Sequence, residues 1–140
     1  MKKRIINTFI GMMMIVLMVS ANVFASSGSG NVTVPVNCVS TLAVNGATRT
    51  TNYSYVSVKA NSVTPIPPYS TDNFTKCKVR LFKHDSTGTC ISNNYTLTEG
   101  ANYTSVYLYE GYHSLSSFNI NFAGNNPDYG AVVYYQYNGN

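Results

Sequence analysis

Three cysteines, two histidines, five carboxylates and twelve tyrosines are the side chains of this 140-residue sequence from which chemistry could be built. Cys38, Cys77 and Cys90 lie too far apart for a zinc-type ligand set, and His84 and His113 do not complete one. No metal and no cofactor is expected. In an oxidising compartment an odd number of thiols permits one internal bridge. Cys38 continues the alternating row Val32, Val34, Val36, and Cys77 heads another with Val79 and Leu81. Both rows are expected to face inward, so the expected bridge is Cys38–Cys77, against the alternative that both are free and buried. If Ser86-Thr87-Gly88 is a loop, Cys77 falls opposite Leu97. Cys90 then lands on the other face and is the expected odd thiol.

The acids Asp72, Asp85, Glu99, Glu110 and Asp128 are scattered over turns and strand ends. Glu99 and Glu110 would stand at opposite ends of one strand, about 35 Å apart at strand rise, too far for the facing carboxylates of a glycosidase. There is no nucleophile elbow, phosphate loop or dinucleotide fingerprint. No catalytic residue is therefore expected, although a triad assembled in space around His84 or His113 would leave no mark in the sequence.

The aromatic and basic side chains are more suggestive. Tyr103, Tyr107 and Tyr109 share one strand parity and Val106 and Leu108 the other; Tyr135 and Tyr137 share a parity, with Tyr134 opposite. Tyr107, Tyr109, Tyr135 and Tyr137 are the candidate ligand-binding residues, expected in a row facing solvent. A ring with a hydroxyl at its edge stacks on a sugar and hydrogen-bonds to it. The competing account is ordinary core packing, and the absence of Trp removes the larger stacking platform. Lys76, Lys78 and Arg80 alternate, so they emerge together as a basic row. Such a row suits an anionic wall polymer or lipid headgroups, or a solvated strand face that guards a sheet edge.

Elements must hold these residues in place. Lys2, Lys3 and Arg4, the apolar run Phe9 to Val19 and the small residues before Ser26 form an export signal over 1–25, bacterial in its short basic start and Met-rich centre. Its 11 apolar residues fall short of the roughly 20 that span a bilayer, so no transmembrane anchor is expected. Removing it leaves six cations against five acids, a net charge of +1. That balance gives no case for nucleic acid. Residues 26–31 read as a flexible leader, and 32–140 as one domain rich in Val, Thr and Tyr and poor in helix formers.

Period-two alternation runs from Val32 to Val44, interrupted or held at an edge by Pro35. Asn45-Gly46 predicts a type I′ hairpin turn into a return strand to about Ala60, with a bulge at Tyr55-Val56. Asn61 to Asp72, with Pro65, Pro67 and Pro68, predicts a long crossover. Further strands are expected over Lys76–Lys83, Cys90–Leu97, Tyr103–Glu110, His113–Phe122 and Ala131–Tyr137. The fold class is all-β, an antiparallel sandwich of about seven strands. Its expected core includes Val34, Val36, Leu42, Val79, Leu81, Ile91, Leu97, Ile120 and Val132. The five Asn-x-Ser/Thr triplets reflect composition in a bacterial setting. The expectation is a secreted, non-enzymatic binding domain for a carbohydrate, a cell-wall polymer or another surface protein. The alternative is a bacteriocin-like or membrane-active antagonist, for which the long Val32–Val44 alternation would supply an amphipathic strand.

Overall fold

The computed structural model describes residues 25–66 and 75–140. The described residues form eight strands: β1 (Ser27–Val34), β2 (Thr41–Thr48), β3 (Tyr55–Ile66), β4 (Lys76–Lys83), β5 (Tyr95–Thr98), β6 (Thr104–Tyr107), β7 (Ser117–Gly124) and β8 (Gly130–Asn138). They make two four-stranded antiparallel sheets, ordered β1-β8-β3-β6 and β2-β7-β4-β5. The pairing is nested: β1 with β8, β2 with β7, β3 with β6 and β4 with β5. The chain is thus folded double about the turn after β4, and the doubled ribbon is rolled until β8 meets β3 and β7 meets β4. This is the strand order of a double-sheet jelly roll. The helical content among the described residues is confined to single 3-10 turns, and no helix there is long and apolar enough to cross a membrane. The expected export signal over 1–25 lies, except for Ala25, outside the described residues, as do Pro67, Pro68 and Asp72.

Both sheets contribute to one core. Val34, Val56, Val58, Val106 and Val133 come from the first sheet, and Cys77, Val79, Leu81, Leu97, Phe118, Ile120 and Phe122 from the second. The Phe122 and Tyr135 rings stack across the gap between the sheets, centroids 4.9 Å apart. Of the expected core residues Val34, Val79, Leu81, Ile91, Leu97 and Ile120 are buried.

Val36, Leu42 and Val132 are not core residues. The Val32–Val44 alternation is two strands in different sheets, parted by a tight turn over Val36–Cys38. Pro35 cannot donate to a ladder, and Asn37 and Cys38 both take positive φ, so the alternation restarts out of phase. Val36 is left 45% exposed and Leu42 49%. One continuous amphipathic strand over this segment does not exist. In β8 the parity is the reverse of that expected. Ala131, Val133 and Tyr135 point inward, while Val132 lies on the outer face opposite Thr33 and Thr64.

Three other expectations also change. Residues 27–31 are strand, because Gly28 and Gly30 stand where the inward rings of Tyr137 and Tyr135 need room. A Cβ on Gly30 would come 2.8 Å from the Tyr135 hydroxyl, and one on Gly28 2.9 Å from the Tyr137 ring. Asn45-Gly46 does not reverse the chain. Gly46, at φ 69°, makes an irregularity inside β2, and its N–H donates to Asn119 Oδ1 at 2.8 Å. A left-handed glycine serves a bulge as well as a hairpin, and here the partner comes from β7. Finally, β3 runs on to Ile66 through Pro65, and its bulge falls between Ala60 and Ser62, not at Tyr55-Val56.

Candidate functional site

The tyrosine face exists, but a different set of tyrosines builds it. Tyr135 is 5% exposed; its hydroxyl donates to the Ala43 carbonyl at 3.1 Å, and burial pushes its pKa up. Tyr137 is half-buried against the same core, pairing with Gly28 and Val58 on the inner side. These two rings therefore do not stand in a solvent-facing row with Tyr107 and Tyr109. The miss has a physical cause. A strand with tyrosine on both parities offers no polarity signal, and only the glycines of β1 reveal which side has space for a ring.

Tyr107 is 51% exposed on β6, because Val106 beside it takes the inner face. Directly across the ladder is Tyr55 of β3, with ring centroids 5.4 Å apart and planes tilted by 53°. Tyr53 meets Tyr55 edge-on at 5.8 Å. The N–H of Tyr107 donates to the Tyr95 hydroxyl at 3.3 Å, which ties this cluster to the second sheet. Tyr109 lies apart from it; its hydroxyl donates to Asn93 Oδ1 at 3.2 Å.

Further along the same outer face, Tyr103 donates to Gln136 Oε1 at 3.2 Å, and Lys59 Nζ sits 5.1 Å from the Tyr103 ring centroid. That distance is within cation–π range. A shallow groove of about 280 Å³ opens between Tyr103, Gln136, Ser27, Gly28 and Ser29, and Tyr137, a candidate from the sequence, borders it. Tyr134 stands out on this face opposite Asn31 and Ser62. Lys59 aside, the outward strand positions of this sheet are Ser, Thr, Asn, Gln, Val, Ile and Tyr. Such a surface offers neutral donors, acceptors and ring faces, with little net field.

The basic row is on the outer face of the other sheet. Cys77, Val79 and Leu81 point inward, and Lys76, Lys78 and Arg80 point out. Lys78 and Arg80 line a cleft of about 120 Å³ with Cys38, Ser40, Asn94, Asn121 and Ala123. Thus Cys38 and Cys77 occupy opposite sides of the sheet. The expected Cys38–Cys77 bridge is absent and all three cysteines are free. The positive-φ turn carries Cys38 over the outer face, whereas strand parity points Cys77 into the core. Cys77 does lie opposite Leu97, as the turn predicted. Cys90 is on the opposite face from buried Ile91, with its thiol donating to the Ser92 carbonyl.

Among the described residues no three of His, Cys, Asp and Glu come together as a metal site would require. His84 Nδ1 is 3.0 Å from Asn119 Oδ1, and His113 Nε2 is 3.1 Å from the Leu108 carbonyl. Asp85 caps its turn through Thr87 and pairs with Lys83 at 2.7 Å; the Lys83 and Thr87 hydrogen bonds hold its carboxyl down at about 2.

Sequence reasoning passed over Arg49, which is fully buried. Its Nη1 donates to the carbonyls of His113 (2.9 Å) and Leu115 (2.7 Å), while Nε and Nη2 have no partner; desolvation lowers its pKa. It clasps the end of β2 to the segment before β7. An arginine between threonines carries no sign in sequence that it will be buried. No family model, curated protein or solved structure matches the chain.

Proposed function

We propose that the chain is an exported, non-enzymatic binding domain that holds a glycan on the outer face of the β1-β8-β3-β6 sheet. The observation that supports this most is the Tyr53-Tyr55-Tyr107 cluster, continued by Tyr103, Lys59 and Gln136 along a face with almost no charge. Sugars present C–H faces and neutral hydroxyls, which rings and amide or hydroxyl side chains match. The rings are mutually tilted, so they suit a single flexible chain better than a flat crystalline surface.

Export is supported by the basic start, the short apolar run and the small residues before Ser26. It also agrees with the local bonding at the expected cleavage point. Ser26 exchanges hydrogen bonds with Thr48 and accepts one from the Gly139 N–H at 2.8 Å. A chain cut before Ser26 would keep these hydrogen bonds. Intact mass of the protein recovered from the medium should correspond to a start at Ser26.

Calorimetric titration with a panel of soluble polysaccharides and cell-wall glycans tests the binding. At least one should bind saturably. Tyr107→Ala and Tyr55→Ala should each weaken it by about tenfold or more, while Tyr109→Ala, outside the cluster, should not. Binding that is unchanged by both cluster substitutions would overturn this site.

A further inference from the structure

The opposite sheet presents a second, chemically distinct surface. The cations Lys76, Lys78 and Arg80 are not edge guards, because β4 is an interior strand flanked by β7 and β5. Their cross-strand neighbours are all neutral: Thr98 beside Lys76, Thr96 and Ala123 beside Lys78, and Asn121 beside Arg80. Among the described residues neither Lys78 nor Arg80 has a carboxylate partner, whereas Lys83, three positions beyond the row, has Asp85. Like charges in a row repel. A row with no carboxylate partner among the described residues, in the middle of a sheet, can take an anion from outside.

The cleft gives that anion a place. Lys78, Arg80, Asn94, Asn121, Ser40 and Cys38 surround about 120 Å³, room enough for a tetrahedral oxyanion. Arg80 Nε is withdrawn from solvent and has no hydrogen-bond partner. Asn121 Oδ1 is likewise buried and unpaired, while its Nδ2 donates to the Ser40 hydroxyl at 3.3 Å. Half a turn of that amide lets Oδ1 accept the Ser40 proton and puts Nδ2, with both protons uncommitted, at the position Oδ1 now holds. Lysine as a point charge, arginine as a fork and amide donors make the donor set by which proteins hold phosphate.

We propose that this cleft, with Lys78 and Arg80 as its cationic wall and Asn94 and Asn121 as its amide donors, binds a phosphate group. The group is either free phosphate or the phosphodiester of an anionic polyol polymer, whose next phosphate would meet Lys76. The site is separate from the tyrosine face and stands or falls independently of it.

Alkylation of the unaltered protein tests the cleft directly, because Cys38 lines it and Cys90 does not. Inorganic phosphate should slow modification of Cys38, read by peptide mass mapping, and leave Cys90 unchanged; chloride at equal ionic strength should do neither. Calorimetry with inorganic phosphate and with poly(glycerol phosphate) separates the two sources. Tighter binding to the polymer per phosphate, reduced by Lys76→Gln, assigns the polymer; equal binding assigns the free ion. Arg80→Gln and Lys78→Gln should each weaken phosphate by about tenfold, and Lys83→Gln should have no effect. Equal protection of both thiols, protection by chloride, or phosphate affinity unchanged in Lys78→Gln would overturn the proposal.

Discussion

Leu81 and Leu42 illustrate how much a single position depends on phase. Both lie in alternating segments, yet Leu81 is fully buried on β4 and Leu42 is half exposed on β2. Leu81→Ala should cost about 2–5 kcal/mol in denaturant melts, and Leu42→Ala less than about 0.5 kcal/mol. Cys77 has the same inward phase as Leu81, and burial pushes its thiol from 9.0 up to about 12. The unfolded chain gives up that proton near the ordinary value, whereas the folded chain keeps it. The stability linked to this group is therefore whole below about pH 9 and is lost as pH rises toward 12. In reducing buffer, unfolding free energies at about pH 8 and about pH 10.5 should differ more for the native chain than for Cys77→Ala. An equal drop in both would show that Cys77 ionises freely in the folded state.

At the scale of elements, the sequence showed strands wherever one parity was cleanly apolar. Lys76–Lys83 is found with the expected bounds and the expected faces, and the Asp85–Gly88 turn follows it with Gly88 at φ 61°. Legibility failed where a residue's meaning depends on a strand distant in sequence. Asn45-Gly46 looks like a hairpin until β7 supplies Asn119. Gly28 and Gly30 look like a linker until β8 supplies two rings. The latter pairing can be measured. Gly30→Ala should destabilise the fold by about 1–3 kcal/mol, since the added methyl meets the Tyr135 ring and hydroxyl. Tyr135→Phe removes the nearest atom, so it should recover part of that loss in the double variant. The two changes should be non-additive by more than about 0.5 kcal/mol; simple additivity would mean the ring and glycine do not oppose each other. The tyrosine face was legible in composition but not in membership, because only strand pairing brings Tyr53, Tyr55 and Tyr107 together.

For the whole molecule, the rolled ribbon makes the first strand depend on the last. Ser27 pairs with Asn138 and Val34 with Ala131, so β1 is laid down against residues about a hundred positions away. Such non-local pairing delays folding until both ends of the chain are present. It also makes β1 a lid over part of the core, since Gly28 and Gly30 lie against the rings of Tyr137 and Tyr135. A chain beginning at Ser26 retains this lid, together with the Ser26–Thr48 and Gly139–Ser26 hydrogen bonds. A chain beginning at Val32 loses five of the eight β1–β8 residue pairs, uncovers both rings and leaves Tyr134 to Asn138 without ladder partners on the β1 side. Were these residues a flexible leader, their removal would change the unfolding free energy by less than about 0.5 kcal/mol. As a core-covering strand, their removal should cost at least about 2 kcal/mol. It should also speed hydrogen exchange at the amides of β8 that face β1, while those of β4 and β7 stay protected until global unfolding. Equal denaturation midpoints for the two chains would return residues 26–31 to the status of a linker and remove the reason for glycine at 28 and 30.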